Sequence, residues 1–135
     1  MKQIMSRLSI WIVIGFILVF AYFISYLNNI RNVQVITKSP SFSIARITSF
    51  RYEKGKALLA EYNFDVNGKS FTSANGDGRF EKIGNFILHR SFPVIYNSID
   101  PNKSAVLIFK SDFEKFNIAF PDSLMWVETK LSEIR

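Results

Sequence analysis

A chain of 135 residues with no Cys and one His carries 17 Lys and Arg against 11 Asp and Glu, a net charge of +6. The missing cysteine excludes disulfides, thiolate metal sites and cysteine nucleophiles, and a single histidine excludes a histidine metal cluster. Setting aside about thirty residues for the anchor and its flank leaves roughly 100, enough for one small domain around a single core.

The anchor is Leu8 to Leu27, LSIWIVIGFILVFAYFISYL, a run with no charged side chain. As a helix it spans roughly 30 Å, the hydrocarbon thickness of a bilayer. Trp11 near one end and Tyr22 and Tyr26 near the other suit aromatic belts at the two interfaces. Lys2 and Arg7 give it the basic start of a signal peptide. The run is nevertheless longer than a signal's apolar region of about 7 to 15 residues, and Tyr26 to Arg31 lead out of it with bulky and polar residues instead of a small-residue cleavage site. We therefore expect an uncleaved membrane helix. Lys2 and Arg7 before it are nearly matched by Arg31, Lys38 and Arg46 after it, so the charge rule alone does not orient it. A seven-residue tail ahead of a signal-like helix stays in the cytoplasm, which sends the rest of the chain outward across a bacterial cell membrane. Ser9, Gly15 and Ser25 offer small residues on which a neighbouring helix would pack.

Residues 28–41 read as a polar stalk punctuated by Pro40. From Phe42 the pattern turns to strands. Phe42, Ile44, Arg46, Thr48 and Phe50 fall on one side, and Ser43, Ala45, Ile47 and Ser49 on the other. Leu58, Ala60, Tyr62, Phe64 and Val66 then alternate with Leu59, Glu61, Asn63 and Asp65, as in a strand with one face buried and one wet. Asn67-Gly68 is the two-residue signature of a type I′ hairpin, with Lys69 to Ser73 as the return strand. Residues 74–85 read as a glycine-rich loop with at most a helical turn at Phe80 to Ile83. Short strands are expected at Phe86 to Leu88, Phe92 to Tyr96 and Ala105 to Lys110, the last two joined by a turn at Asp100-Pro101-Asn102. In residues 111–135, Asp122 or Ser123 is the expected N-cap of a final helix, with Leu124, Val127, Leu131 and Ile134 on its apolar face.

No constellation here points to catalysis. His89 reads as a structural or surface histidine and not as a general base. Asn75-Gly76-Asp77-Gly78 begins like a calcium loop but lacks the further carboxylates and the closing Glu, so no metal is expected. Asp65 and Glu61 lie about 13 Å apart along one strand, too far to work as a carboxylate pair. Residues 28–110 hold twelve Lys and Arg against six Asp and Glu, while residues 111–135 hold three against five. The positive charges are scattered without aromatic alternation, which argues for anionic lipid headgroups over nucleic acid. Phe113, Phe116 and Phe120, spaced three and four apart, either pack the core or, with Met125 and Trp126, form an apolar surface for a partner.

Ala45-Arg46-Ile47, the segment Tyr62-Asn63-Phe64-Asp65-Val66-Asn67-Gly68-Lys69-Ser70-Phe71, then Val94-Ile95-Tyr96 and Asp100-Pro101-Asn102-Lys103-Ser104 occur in an order that resembles a bacterial family, domain of unknown function 3592. The likeness covers about residues 42–109. Ser91-Phe92-Pro93 stands where members often carry a Gly. The resemblance implies a small antiparallel β-domain beside a membrane helix and carries over no activity, since the family has none assigned; no cofactor is expected. The expected fold class is thus mainly β: a transmembrane helix with Leu8, Trp11, Gly15, Tyr22 and Leu27 in the span, then an antiparallel β-sandwich or barrel-like domain closed by a C-terminal helix. The expected organisation is a tail over residues 1–7, the span over 8–27, the stalk over 28–41, the β-domain over 42–110 and the helical segment over 111–135. The expected role is non-enzymatic, an accessory or immunity-type protein that binds another envelope protein beside the lipid bilayer. The candidate interface is Asn75, Asp77, Arg79, Phe113, Phe116, Phe120, Met125 and Trp126. A structural subunit held in a larger complex through its helix is the alternative.

Overall fold

Leaving the apolar run does not end the helix. In the computed structural model, which describes residues 2–134, α1 runs over Lys2–Thr37. Met1, Arg135 and the side chains of Lys2, Ile4, Met5 and Ser6 lie outside the described residues, the Lys2 charge weighed above among them. The expected stalk is therefore corrected: residues 28–37 are helical, because they contain neither Gly nor Pro and the first helix breaker after Gly15 is Pro40. The helix is long and apolar enough to cross a membrane, with a window of mean hydropathy 2.5 of which none is buried. Trp11 and Tyr22 stand 71% and 75% exposed.

Two compact units divide the chain, Met1–Gln34 and Val35–Arg135. The second begins inside the last turn of α1. Its five strands are β1 (Pro40–Arg51), β2 (Leu59–Val66), β3 (Lys69–Gly76), β4 (Ser91–Asn97) and β5 (Ser104–Val106). They form one sheet in the order β3-β2-β1-β4-β5, each neighbouring pair antiparallel. The sheet curls into half a barrel, and its two edges are tied where the Val106 backbone N–H donates to Asn75 Oδ1 at 2.9 Å. The Tyr62 and Ser104 hydroxyls, 2.8 Å apart, bond across the same concavity. Of the expected sandwich or barrel-like domain, the structure thus has the second in partial form, a single curled sheet.

Asn67 and Gly68 take φ of 51° and 81°, the left-handed pair that a type I′ turn requires. The return strand β3 is longer than expected, reaching Gly76 because Asn75 and Ala74 still pair with Ala60 and Glu61. On β1 the face assignment changes midway. Ala45 pairs with Phe64 and Ile47 with Tyr62, but Ser49 pairs with Glu61, which leaves Thr48 as the extra residue of a bulge. One inserted residue reverses which side chains face the core. Ala45 and Ile47 are fully buried, Phe42 and Ile44 point outward at 58% and 62% exposed, and Phe50 turns back in. The expected grouping of Phe42, Ile44 and Phe50 on one face is corrected accordingly.

The concave side is filled by helices, more of them than a mainly β reading expects. α2 (Phe80–Ile87) stands where a loop and the strand Phe86 to Leu88 were expected. Phe80, Ile83, Gly84 and Ile87 recur at helical spacing on its buried face. Gly84 lets the Phe50 ring approach, since a Cβ there would sit 3.3 Å from it. The expected strand to Lys110 stops at Val106, and α3 (Lys110–Lys115) follows Leu107, Ile108 and Phe109, all buried. α4 (Met125–Glu133) is entered through a short 3₁₀ turn at Asp122–Leu124, in which the Leu124 N–H bonds to the Pro121 carbonyl and no side chain caps the helix. Leu124 and Val127 are buried as expected, whereas Ile134 is exposed.

The convex side has one buried joint. Ile95 and Asn97 share that face of β4 by strand alternation, and both are buried. Asn97 Nδ2 donates to the Val35 carbonyl at 2.6 Å, and Ile36 beside it is only 4% exposed. Truncating Ile36 should therefore behave as a core mutation although it lies on the long helix. Ile36→Ala is expected to cost about 2–4 kcal/mol, while Ile24→Ala, on the exposed span, leaves the domain's melting midpoint unchanged. Thermal unfolding of the full chain in detergent, followed by near-UV circular dichroism, distinguishes the two.

Candidate functional site

The residues singled out from sequence separate into three places. Asn75 lies on β3 and its side-chain oxygen is spent on Val106. Asp77 and Arg79 bond to each other side-on, Nε to Oδ1 at 3.0 Å and Nη2 to Oδ2 at 2.6 Å. The Arg79 guanidinium lies 3.9 Å above the Phe109 ring. This loop is thus a strap over the buried Phe109, and its polar groups are used internally. Burial raises the Asp77 carboxyl, but the Arg79 hydrogen bonds and charge outweigh it and hold Asp77 below its ordinary value. The same pairing with Asp77 raises the Arg79 guanidinium further.

Of the phenylalanine stripe, Phe113 is 3% exposed and meets Phe120 edge-on at 5.3 Å, and Phe116 and Phe120 pack partly buried against the core. Of the two alternatives weighed for these rings, core packing is the one found: α3 ends at Lys115, so the three side chains fold inward around a turn and do not line one helix face. Asp112 fixes that turn, its Oδ2 accepting the backbone N–H of Phe109 at 2.9 Å and of Ile108 at 3.1 Å. Burial pushes its carboxyl above the ordinary value despite those two bonds. His89 is exposed at the turn that ends α2, with φ of 64°, and its backbone N–H bonds to the Ile47 carbonyl at 2.9 Å. Its part in the fold is played by its backbone.

The third place is open. Met125 is half exposed, and the next residue, Trp126, lies on a groove of about 520 Å³ between α2 and α4. Phe86, Arg90, Trp126, Thr129, Lys130 and Glu133 line it. Its floor is aromatic: Phe86 is 41% exposed, and Trp126 packs its inner side on Phe92 with centroids 6.3 Å apart. Two cations lie over that floor, Arg90 4.7 Å from the centre of the Trp126 ring and Lys130 4.4 Å from that of the Phe86 ring. Lys130 also reaches Glu133 at 3.7 Å. Among the described residues Arg90 makes no ion pair. Sequence reasoning found Trp126 but missed Phe86, Arg90 and Lys130. The Trp126/Lys130 spacing of four on one helix was the available signal, whereas Phe86 was assigned to a strand.

The fold and the groove together define a long apolar helix carrying a curled antiparallel sheet packed with short helices, with an aromatic and cationic surface on the helical side. No family model, no curated protein and no solved structure matches the chain. Among the described residues no group of three or more His, Cys, Asp or Glu is placed to hold a metal ion.

The two partly buried carboxylates respond to acid with opposite signs. Asp77, lowered in the fold, contributes stability that is present above its ordinary value of 3.8 and is lost as pH falls through its folded value. Asp112, raised in the fold, binds a proton more readily folded than unfolded, so its contribution declines as pH rises from 3.8 through its folded value. Asp77→Asn is expected to lower the melting midpoint at neutral pH and to converge with the parent in acid. Asp112→Asn should match or exceed the parent at neutral pH, whereas Asp112→Ala, which removes the acceptor, loses about 1 kcal/mol or more. Melting curves from about pH 3 to about pH 7 read these differences.

Proposed function

We propose that this chain is a single-pass membrane protein that displays its curled-sheet domain on the extracytoplasmic side of a bacterial cell membrane and binds another envelope protein there, without catalysing a reaction. An accessory or immunity-type role fits this reading. Kinship with domain of unknown function 3592 belongs to the same proposal and rests on the Tyr62 to Phe71 hairpin.

The observation that carries the reading is the unburied apolar surface of α1 from Leu8 to Leu27, with Trp11, Phe16 and Tyr22 each exposed by more than two thirds. At about 25 cal/mol for each Å² of apolar surface kept in water, such a helix is stable only in lipid or against another protein. The domain contributes the binding surface. Its loops are tied down internally, and the groove between α2 and α4 supports the interaction because aromatic area and charge are left open there.

The chain is expected to stay with membranes through an alkaline carbonate wash. A periplasm-dependent reporter fused after Arg135 should be active, and a cytoplasm-dependent one silent; the reverse pattern would sink the outward orientation. Residues 35–135 expressed alone should capture the same partner as the full chain. Loss of the partner on removing α1 would favour instead a subunit held in a larger complex through its helix.

A further inference from the structure

We propose that the groove between α2 and α4 receives an acidic segment of a partner protein, with carboxylates on Arg90 and Lys130 and an apolar side chain against Phe86 and Trp126. This deepens the membrane-anchored binding reading and rests on it.

The argument begins with Arg90. Its guanidinium carbon lies 4.7 Å from the centre of the Trp126 ring, over its face, and the side chain makes no ion pair among the described residues. Contact with a ring does not use up the five N–H donors of a guanidinium, and two of them make the fork that takes a carboxylate in a bidentate pair. Cation–π contact also restricts the side chain before any ligand arrives, so less rotamer freedom is lost on binding. Lys130 is held the same way over Phe86, 4.4 Å from its centroid.

The charge balance is positive. Among the described residues Glu133 is the one carboxylate lining the groove, and it sits 3.7 Å from Lys130. An anionic occupant is therefore complementary, and a cationic one is repelled.

The arrangement of charge and apolar surface selects a protein segment over a lipid headgroup. A bilayer presents its phosphates as a layer above its apolar interior. In this groove the cations lie on the aromatic rings themselves, so charged and apolar surface alternate at one level. Neighbouring side chains of a peptide, one carboxylate and one hydrocarbon, match that alternation, and the volume of about 520 Å³ accommodates several of them.

The test uses Trp126 as its own reporter. The chain has two tryptophans, so Trp11→Phe in the full chain, held in neutral detergent micelles, leaves Trp126 as the sole indole. The probe is a synthetic peptide of about a dozen residues rich in Glu and Leu, beside the same peptide with Gln for every Glu. The acidic peptide is expected to change Trp126 emission saturably, the Gln peptide to bind about tenfold more weakly or worse, and Arg90→Gln to weaken the acidic peptide by about tenfold. Arg90→Lys keeps the charge but loses the fork, and should fall between the parent and Arg90→Gln. A circular dichroism melt of each variant separates a lost contact from a lost fold. Equal binding of both peptides, an unaffected Arg90→Gln protein, or no saturable change overturns the proposal. So does a Trp126 response to phosphatidylglycerol vesicles that the acidic peptide does not compete away, because the groove then recognises lipid. Retention of the chain in carbonate-washed membranes is scored separately, so failure of the groove is distinguishable from failure of the anchored reading.

Discussion

Asn97, 7% exposed, is the one Asn, Gln, Ser, Thr or charged residue that is buried among the described residues, and both ends of its carboxamide are engaged. Its oxygen accepts the N–H groups of Ile99 and Asp100, at 2.8 and 3.1 Å, which closes the turn between β4 and β5. Its nitrogen donates to the Val35 carbonyl, one of the four that the end of α1 leaves without a helical partner. Leaving either group buried and unmet would cost about 1–3 kcal/mol. The β1–β4 ladder starts at the same point, Pro40 opposite Asn97, and the Ser98 N–H returns to the Ser39 carbonyl at 2.8 Å. The Ser39 and Ser98 hydroxyls add a side-chain bond beside it. Since β1 is the central strand, the register of the whole sheet is set from this joint.

The bulge at Thr48 is the second constraint, and it acts at the other end of β1. Without the extra residue, Phe50 would follow Phe42 and Ile44 to the convex face and the core would lose its contact with Phe80, whose ring lies 5.7 Å away. With it, the Phe80 ring passes the contact on to Phe109, also at 5.7 Å, and the sheet is linked to the segment that precedes α3. The bulge also increases local twist, which helps bring β3 round toward β5.

Sequence pattern reveals what is determined locally. The Asn67-Gly68 turn and the alternation of Ala60, Tyr62 and Phe64 are such features, because turn chemistry and a half-buried strand write themselves into neighbouring residues. The bulge is not one of them: nothing in Ile47-Thr48-Ser49 marks the extra residue, and only pairing with Tyr62 and Glu61 exposes it. α2 was hidden for a related reason. Gly84 and Asn85 weaken its intrinsic propensity, and the helix forms because Phe80, Ile83 and Ile87 gain burial that a loop would forfeit. For Phe113 and Phe120 the alternative of core packing holds but the helical stripe does not, since spacing of three and four suggests a helix face even when a turn folds the rings into the core. At the candidate site Trp126 was legible and Arg90 was not, because the two are brought together by the packing of α2 on α4 and not by proximity in the chain.

Two kinds of exposed apolar surface remain, and they call for different surroundings. Along Leu8 to Leu27 the exposed residues run all round the helix: Trp11, Phe16, Val19 and Tyr22 are each open. A helix apolar on every side has no wet face to keep it in water, and lipid accommodates it without specific contacts. In the groove the exposed Phe86 ring and the partly buried Trp126 ring are instead each roofed by a cation. A roofed ring stays compatible with water while the groove is empty, and the cations need little rearrangement to exchange water for a carboxylate. That combination suits a contact that forms and releases, whereas the helix suits one that persists.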